Sequence, residues 1–424
     1  MIKRTPKTSP FVARDTNNES TRPMSGEAEH ESGFDMTSSF GVDWRHVLRF
    51  TDGAFDPRNE VLADALAGAT EHASERKMIA VIDQGVTDTN RNLKEELTQY
   101  LKAHVKTVPE LMEILDAPGG ELAKQGDDLV SRVLESIDRN GICRKSVVLV
   151  IGGGAVLDAA GYAAAIAHRG VRLVRMPTTV LGQCDSGVGV KNGINRFGKK
   201  NFVGAFAPPN AVVCDQRLLR SLSDEDWQSG FSEIVKIALL QDPALFEQLE
   251  EGASAVAGRD LQIAMPLIAR SAQLHLKHIT EGGDPFELNE ARPLDFGHWS
   301  AHKLEQLSDF QLTHGFAVSI GIALDMVYAR QIGLVEEALV DRTLRLLNEL
   351  GLPISCDQLR SGDCLLHGLE EFREHLGGQL TITVVRGLGS PVDLHEIDQS
   401  TMAQSISEVL LRAEELQPHR SPNS

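Results

Sequence analysis

Basic residues are in short supply here: 42 Lys and Arg stand against 60 Asp and Glu, a formal charge of −18. With no basic stripe to neutralise a phosphate backbone, general nucleic-acid binding is excluded, although a local lysine cluster can still hold a phosphorylated small molecule. The five cysteines (Cys143, Cys184, Cys214, Cys356, Cys364) show no CxxC spacing and read as free thiols of a reducing cytoplasm. No apolar run reaches membrane-spanning length and no signal-type apolar segment precedes the first domain, which predicts a cytoplasmic protein without a membrane partner. What remains is ordinary globular composition, 42% hydrophobic and 24% charged, on a chain long enough for two domains.

Residues 1–42 are rich in Ser, Thr, Asn, Pro and Glu, lack apolar periodicity, and are expected to be a disordered tail. Acids such as Asp15, Glu19 and Glu27 argue against a targeting peptide. From 43 to 215, near-continuous apolar runs alternate with helical stretches. The runs are Met78–Asp83, Ser146–Ile151, Val171–Met176 and Ala211–Asp215, and they predict a parallel sheet covered by helices on both faces. After Asp215 the pattern turns helical over 216–280, 297–352 and 400–417, with a lone late strand or hairpin arm at Leu380–Val385. The reading is an α/β domain over 43–215, a mainly helical domain over 216–417 and a frayed end at 418–424. No internal repeat is visible.

The densest chemistry lies between Gly297 and Gly315. His298 and His302 are spaced i, i+4, one turn apart on one helix face, and His314 follows after a break. Gly297 permits close backbone approach, and Gly315 lets the chain turn beside His314. Converging neutral imidazoles suit a borderline-soft divalent metal such as zinc, which usually takes one carboxylate more and keeps a position open for substrate. The same histidines could serve only as hydrogen-bonding groups at a polar helix start.

Two further constellations stand out. Gly152-Gly153-Gly154 joins a strand to a helical stretch and would aim free backbone N–H groups at a pyrophosphate, although plain strand-to-helix turns also look like this. Leu157 stands where the dinucleotide fingerprint has its third glycine. Downstream, Asp185, Lys191, Lys199, Lys200 and Asn201 lie on Gly-rich segments without apolar periodicity, read as loops suited to a polyhydroxylated, phosphorylated ligand. Glu233 and Lys236, i, i+3 on a helix, would ordinarily be a surface ion pair.

From about Asp83 to Gly389 these motifs, in this order, resemble the 3-dehydroquinate synthase family of sugar phosphate cyclases. The motifs that carry the likeness are Gly120-Glu121-Leu122-Ala123-Lys124, Gly152 through Asp158, Pro177-Thr178-Thr179, Asp185 through Lys191 and Gly198 through Gly204. Glu233-Ile234-Val235-Lys236, Gly297-His298 through Glu305 and His314-Gly315 complete the set. The resemblance implies a Rossmann-like NAD domain, a helical metal domain, a homodimer, and NAD with Zn2+ or Co2+ as cofactors. It implies a carbon–oxygen lyase of phosphate-eliminating type: NAD oxidises a held hydroxyl, phosphate leaves, the ketone is reduced, and an aldol step closes a carbocycle. Carried over by motif, Glu233, His298 and His314 would bind the metal, and His302 would instead be an active-site hydrogen-bonding group. Asp185, Lys191, Lys236 and Glu287 would be catalytic beside it. Lys200 and Asn201 would meet phosphate together with Arg169 from the partner subunit, and Lys277 and Arg292 would meet a carboxylate. Asp83, Glu121, Lys124, Gly153, Gly154, Asp158, Thr178, Thr179, Ser221 and Leu222 would line the NAD site.

Several positions depart from the dehydroquinate-forming pattern. Ala291 stands where an arginine for the substrate carboxylate is expected, and Arg292 beside it precedes a proline that restricts its backbone. Asp295 replaces an Asn, His314-Gly315-Phe316 replaces His-Gly-Glu, and Trp299-Ser300-Ala301-His302-Lys303 replaces Thr-Phe-Gly-His-Ala. A double lysine before the late strand becomes Phe372-Arg373-Glu374-His375. Losing a bidentate arginine costs on the order of 1.5–3 kcal/mol per charged hydrogen bond. The expected substrate is therefore a ketose 7-phosphate without a carboxylate, such as sedoheptulose 7-phosphate. The alternatives are a true 3-dehydroquinate synthase, with Arg292 and Lys277 sharing the carboxylate, and a metal-dependent polyol dehydrogenase of the glycerol type.

Overall fold

Apolar runs without polar alternation form strands covered on both faces. The computed structural model describes residues 37–38, 41–282, 286, 293–375, 378 and 380–416. The expected tail and frayed end lie almost wholly outside them, as do Glu287, Ala291 and Arg292. Within the unit Trp44–Ser424 the strands are β1 (Val47–Thr51), β2 (Lys77–Asp83), β3 (Glu110–Ala117), β4 (Val147–Gly152), β5 (Arg172–Pro177), β6 (Lys191–Arg196), β7 (Lys199–Phe206), β8 (Ala211–Asp215), β9 (Ile382–Val385) and β10 (Pro391–Leu394). Six of them make one all-parallel sheet in the order β1-β8-β5-β4-β2-β3.

Alternate residues feed two cores. Met78, Ala80 and Ile82 of β2 pack with Val147, Leu149 and Ile151 of β4 on one face. Ile79, Val81, Val148 and Val150 pack on the other. The chain runs outward from β2 to β3, then returns past β2 to β4 and proceeds the other way. The strand order thus reverses at the C-terminal ends of β2 and β4, where open α/β sheets bind ligands. After Asp215 the chain is mainly helical and has its own core, which includes Phe231, Phe296, Trp299, Ile322 and the β9 residues Ile382 and Val384.

Three stretches differ from the sequence expectation. β1 and β3 are edge strands, so their half-exposed pattern carries no continuous apolar run. The Lys191–Phe206 stretch, expected as loop, is an antiparallel hairpin of β6 and β7. Its alternation is masked because β7 is exposed or half-exposed throughout.

Candidate metal and cofactor site

Three helices meet at the histidine motif. Glu233 sits in Phe231–Gln241, His298 opens His298–Leu307, and His314 opens His314–Gln331. Gly315 makes this approach possible: a Cβ there would lie 2.0 Å from the Ser229 carbonyl oxygen just before the Glu233 helix. One ligand atom each from Glu233, His298 and His314 falls within 4.8 Å of the others. Glu233 Oε1 is 3.6 Å from Nε2 of both histidines. Each ring turns its other nitrogen outward: His298 Nδ1 donates to the Phe296 carbonyl at 3.0 Å, and His314 Nδ1 faces Glu305 Oε2 at 3.4 Å. With Nδ1 engaged in both rings, Nε2 is the nitrogen each ring has for a metal at the shared centre.

The electrostatics fit a cation. Glu233 is 1% exposed and neither of its oxygens has a hydrogen-bond donor; Lys236 pairs with Oε2 outside hydrogen-bond geometry. Burial alone would raise the Glu233 pKa, but Lys236 and His314 pull it down to about 2. Burial, reinforced by Lys236 and His314, drives His298 well below its usual value, so that ring is neutral. Burial would also lower His314, yet Glu305 and Glu233 raise it to about 9, a proton whose place a divalent ion would take. The residues present fit a single divalent metal.

Around the cluster, the structure gathers several of the residues singled out above. The Glu233–Lys236 pair is buried, not the surface pair its spacing suggests by default. Asp185 lies on a turn of π-helix, Gly182–Ser186, and its Oδ1 is 2.9 Å from His275 Nδ1. Burial raises Asp185, but His275 and Lys236 outweigh it and hold the carboxylate ionised. Lys200 Nζ reaches Glu305 Oε1 at 2.6 Å and Glu121 Oε1 at 3.7 Å. His302 is exposed, with its ring centroid 5.6 Å from that of His298 and 6.1 Å from that of His314.

A second arrangement occupies the strand ends. Asp83, last in β2, accepts from Gly85 N at 2.9 Å and Gly153 N at 3.3 Å. Gly154 begins the helix Gly154–Ile166, and a Cβ on it would sit 2.9 Å from Ser186 Oγ, so the turn is a cradle that a side chain would fill. Lys124 bridges Asp158 Oδ2 at 2.5 Å and Asn201 Oδ1 at 2.6 Å. Thr178 and Thr179 follow β5, and Thr179 Oγ1 accepts from Gly182 N. Free N–H groups at a helix start beside a strand-order reversal suit a dinucleotide pyrophosphate.

The remaining candidates are mostly exposed. Lys277 is 64% exposed and leans along its helix to Glu281 at 3.9 Å, while His275, two residues earlier and so on the other side, faces Asp185. Arg169 is exposed in the turn Ala167–Arg169. Ser221 is exposed and Leu222 half-buried at the end of Gln216–Ser221. Lys191 opens β6 and is exposed. Sequence reasoning missed His275, Glu305 as a partner of His314, and Arg175. The Arg175 guanidinium is fully buried and donates to the carbonyls of Gly187, Gly189 and Lys191 and to Asn192 Oδ1, pinning the segment that joins Asp185 to Lys191. A charge inside an apolar strand was the available signal for Arg175.

Comparison with known proteins follows the same division. Residues 114–229 match the family model for the 3-dehydroquinate synthase N-terminal region, and residues 230–370 match that for its C-terminal region. The chain is 31% identical over 376 residues to 2-epi-5-epi-valiolone synthase of Streptomyces glaucescens, covering 88% of this chain and 92% of the relative. It is 35% identical over 301 residues to 3-dehydroquinate synthase of Mycolicibacterium vanbaalenii, covering 70% and 81%. Among solved structures, ValA, the 2-epi-5-epi-valiolone synthase of Streptomyces hygroscopicus subsp. jinggangensis with NAD+ and Zn2+ bound, superposes with a TM-score of 0.78 at 29% identity, over 89% of this chain and 100% of that one. With a model matched on each side of Gly230 and one relative aligned along nearly its whole length, the chain belongs to the 3-dehydroquinate synthase family of sugar phosphate cyclases.

Proposed function

We propose that this protein is an NAD- and divalent-metal-dependent cyclase that converts a 7-phosphorylated ketose without a carboxylate, of the sedoheptulose 7-phosphate type, into a carbocycle with loss of phosphate. The observation that carries the reading is the convergence of Glu233, His298 and His314 on one buried centre. Glu233, His298 and His314 would hold zinc or cobalt, and Asp83, Glu121, Lys124, Gly153, Gly154, Asp158, Thr178, Thr179, Ser221 and Leu222 would receive NAD. When bound, the metal supplies a Lewis acid for neighbouring substrate oxygens, and NAD a reversible hydride acceptor.

The chain's own groups account for the rest. Asp185, held ionised by His275 and Lys236, accepts from a substrate hydroxyl and orients it. Lys236, poised between Glu233 and Asp185, offers a buried ammonium to the same oxygens. Lys191 offers its ammonium to the substrate hydroxyls, and Lys200 and Asn201 offer hydrogen bonds to phosphate; to do so, Lys200 must exchange its bond to Glu305 for one to the ligand. His302, at the mouth of the cluster, is placed to hydrogen-bond the same substrate. A homodimer, a cytoplasmic setting and a domain boundary near Asp215 belong to this proposal.

The choice of a carboxylate-free substrate has two supports. Lys277 lies exposed along its helix, and it is His275, two residues earlier, that faces Asp185, so the expected carboxylate lysine is not the group that this helix turns toward Asp185. The long match to a 2-epi-5-epi-valiolone synthase points the same way. The second reading, a 3-dehydroquinate synthase, is favoured by the 35% identity to such an enzyme. Phosphate release by the zinc-loaded protein with NAD decides between them. Release from sedoheptulose 7-phosphate and not from the heptulosonate 7-phosphate is expected; release from the heptulosonate alone would establish the second reading.

A further inference from the structure

Asp325 takes part in none of the roles assigned above, yet its carboxylate is fully buried among Ile322, Leu324, Met326 and Trp299. A carboxyl group in such a core is costly unless its oxygens are satisfied. Asp325 Oδ2 accepts the backbone N–H of Gly297 at 2.9 Å, and Oδ1 accepts the indole Nε1–H of Trp299 at 2.8 Å. These two donors flank His298 in sequence. Asp325 lies about three turns along the helix that begins at His314. One carboxylate therefore ties the residues on either side of one histidine to the helix that carries the other.

Packing supports the same link. Gly297 has a φ of +77°, and a Cβ added there would lie 2.9 Å from Ile322 N. A Cβ on Gly321 would lie 1.9 Å from the Gly297 carbonyl oxygen. The turn before His298 thus rests directly on the backbone of the His314 helix, with Asp325 as its polar anchor. The Phe296 carbonyl, in the same turn, receives His298 Nδ1 and so fixes the ring's rotation.

We infer that Asp325, through Gly297 N–H and the Trp299 indole, is a positioning residue that sets His298 Nε2 relative to His314. The inference rests on reading Glu233, His298 and His314 as a metal centre. The rival role is mere support of the core.

The test is zinc affinity of the full chain by chelator competition, together with the visible spectrum of the Co2+-loaded protein. Four proteins are compared: wild type, Trp299→Phe, the paired Trp299→Phe/Asp325→Leu replacement, and Ser319→Ala. Ser319 lies on the same helix and its buried hydroxyl donates to Pro353 O, so it reports general weakening of that helix. Trp299→Phe and the pair should lose roughly 10–100-fold in zinc affinity and shift the Co2+ band, as loss of an outer-shell partner does, whereas Ser319→Ala should bind as wild type does. If Trp299→Phe leaves Asp325 Oδ1 without its donor and fails to fold, the paired replacement, which removes the buried carboxyl group as well, gives the answer. Zinc affinity of the paired variant within about threefold of wild type, with an unshifted Co2+ band, would overturn the inference, as would an equal loss in Ser319→Ala. Wild type that takes up no zinc would overturn the metal reading and this inference with it, an outcome distinct from unchanged variants.

Discussion

The crevice at the strand ends and the cluster at the helix starts are built from different materials. The crevice is mostly backbone: the start of the Gly154 helix, the carboxylate of Asp83 that accepts from Gly153 N just before it, and a sheet whose order reverses there. The cluster is almost wholly side chain, with Glu233, His298 and His314 projecting from three helices and Glu305 and Lys236 balancing charge around them. Backbone sites degrade gradually, because no one side chain supplies most of the field. A buried cluster of charges fails abruptly, since removing one member strands the others.

That contrast can be broken or sharpened by substitution. Glu233→Gln deletes the cluster's central carboxylate and should weaken zinc binding by more than the roughly 10–100-fold typical of an outer-shell loss, read by chelator competition. Glu305→Gln, which removes the acceptor opposite His314 Nδ1, should stay inside that 10–100-fold range, about the cost of one outer-shell partner.

A third prediction concerns pH. Burial raises Asp325 to about 7. Its folded pKa lies above its unfolded one, so the folded state keeps a proton that the unfolded chain gives up. The associated stability is fully present below the unfolded value near 3.8 and lost as pH rises through about 7. The loss is at most about 1.4 kcal/mol per pH unit across that window. In denaturant titrations of metal-free protein at pH 5 and pH 8, wild type should therefore lose more stability between the two than Asp325→Asn. Equal losses would mean Asp325 does not titrate there.

The crevice should respond more mildly. Gly154→Ala places a Cβ against the Ser186 hydroxyl, which can rotate away, so NAD affinity should fall by about 1 kcal/mol, roughly fivefold, in a fluorescence titration. The smallest effect is expected at Lys277. Lys277→Ala should leave KM for the sugar phosphate unchanged, whereas His275→Gln, which removes the partner of Asp185, should raise it.

The same contrast governs what could be read from the residue string. Buried strands such as β4 announce themselves as unbroken apolar runs, and the Gly152–Gly154 turn is visible because it follows one. β1, β3 and the β6–β7 hairpin were hidden, since an edge or exposed strand needs no continuous apolar sequence. At the cluster, the spacing of His298 and His302 did not by itself single out the side chains that converge in space. In space His302 is exposed and groups with Glu305 and His314, while His298 converges with His314 and Glu233, a residue far off in sequence. Asp325 looked like one more position on a helical stripe. Only its two donors, both from the His298 turn, reveal what a carboxylate does in that core.

The measurement that bears most directly on this account is a calorimetric zinc titration of the full-length protein beside Glu233→Gln and Gly154→Ala. One zinc per chain is expected for wild type and Gly154→Ala, and none at comparable concentration for Glu233→Gln. Zinc bound by Glu233→Gln as tightly as by wild type would contradict the account, because the centre would then lie elsewhere.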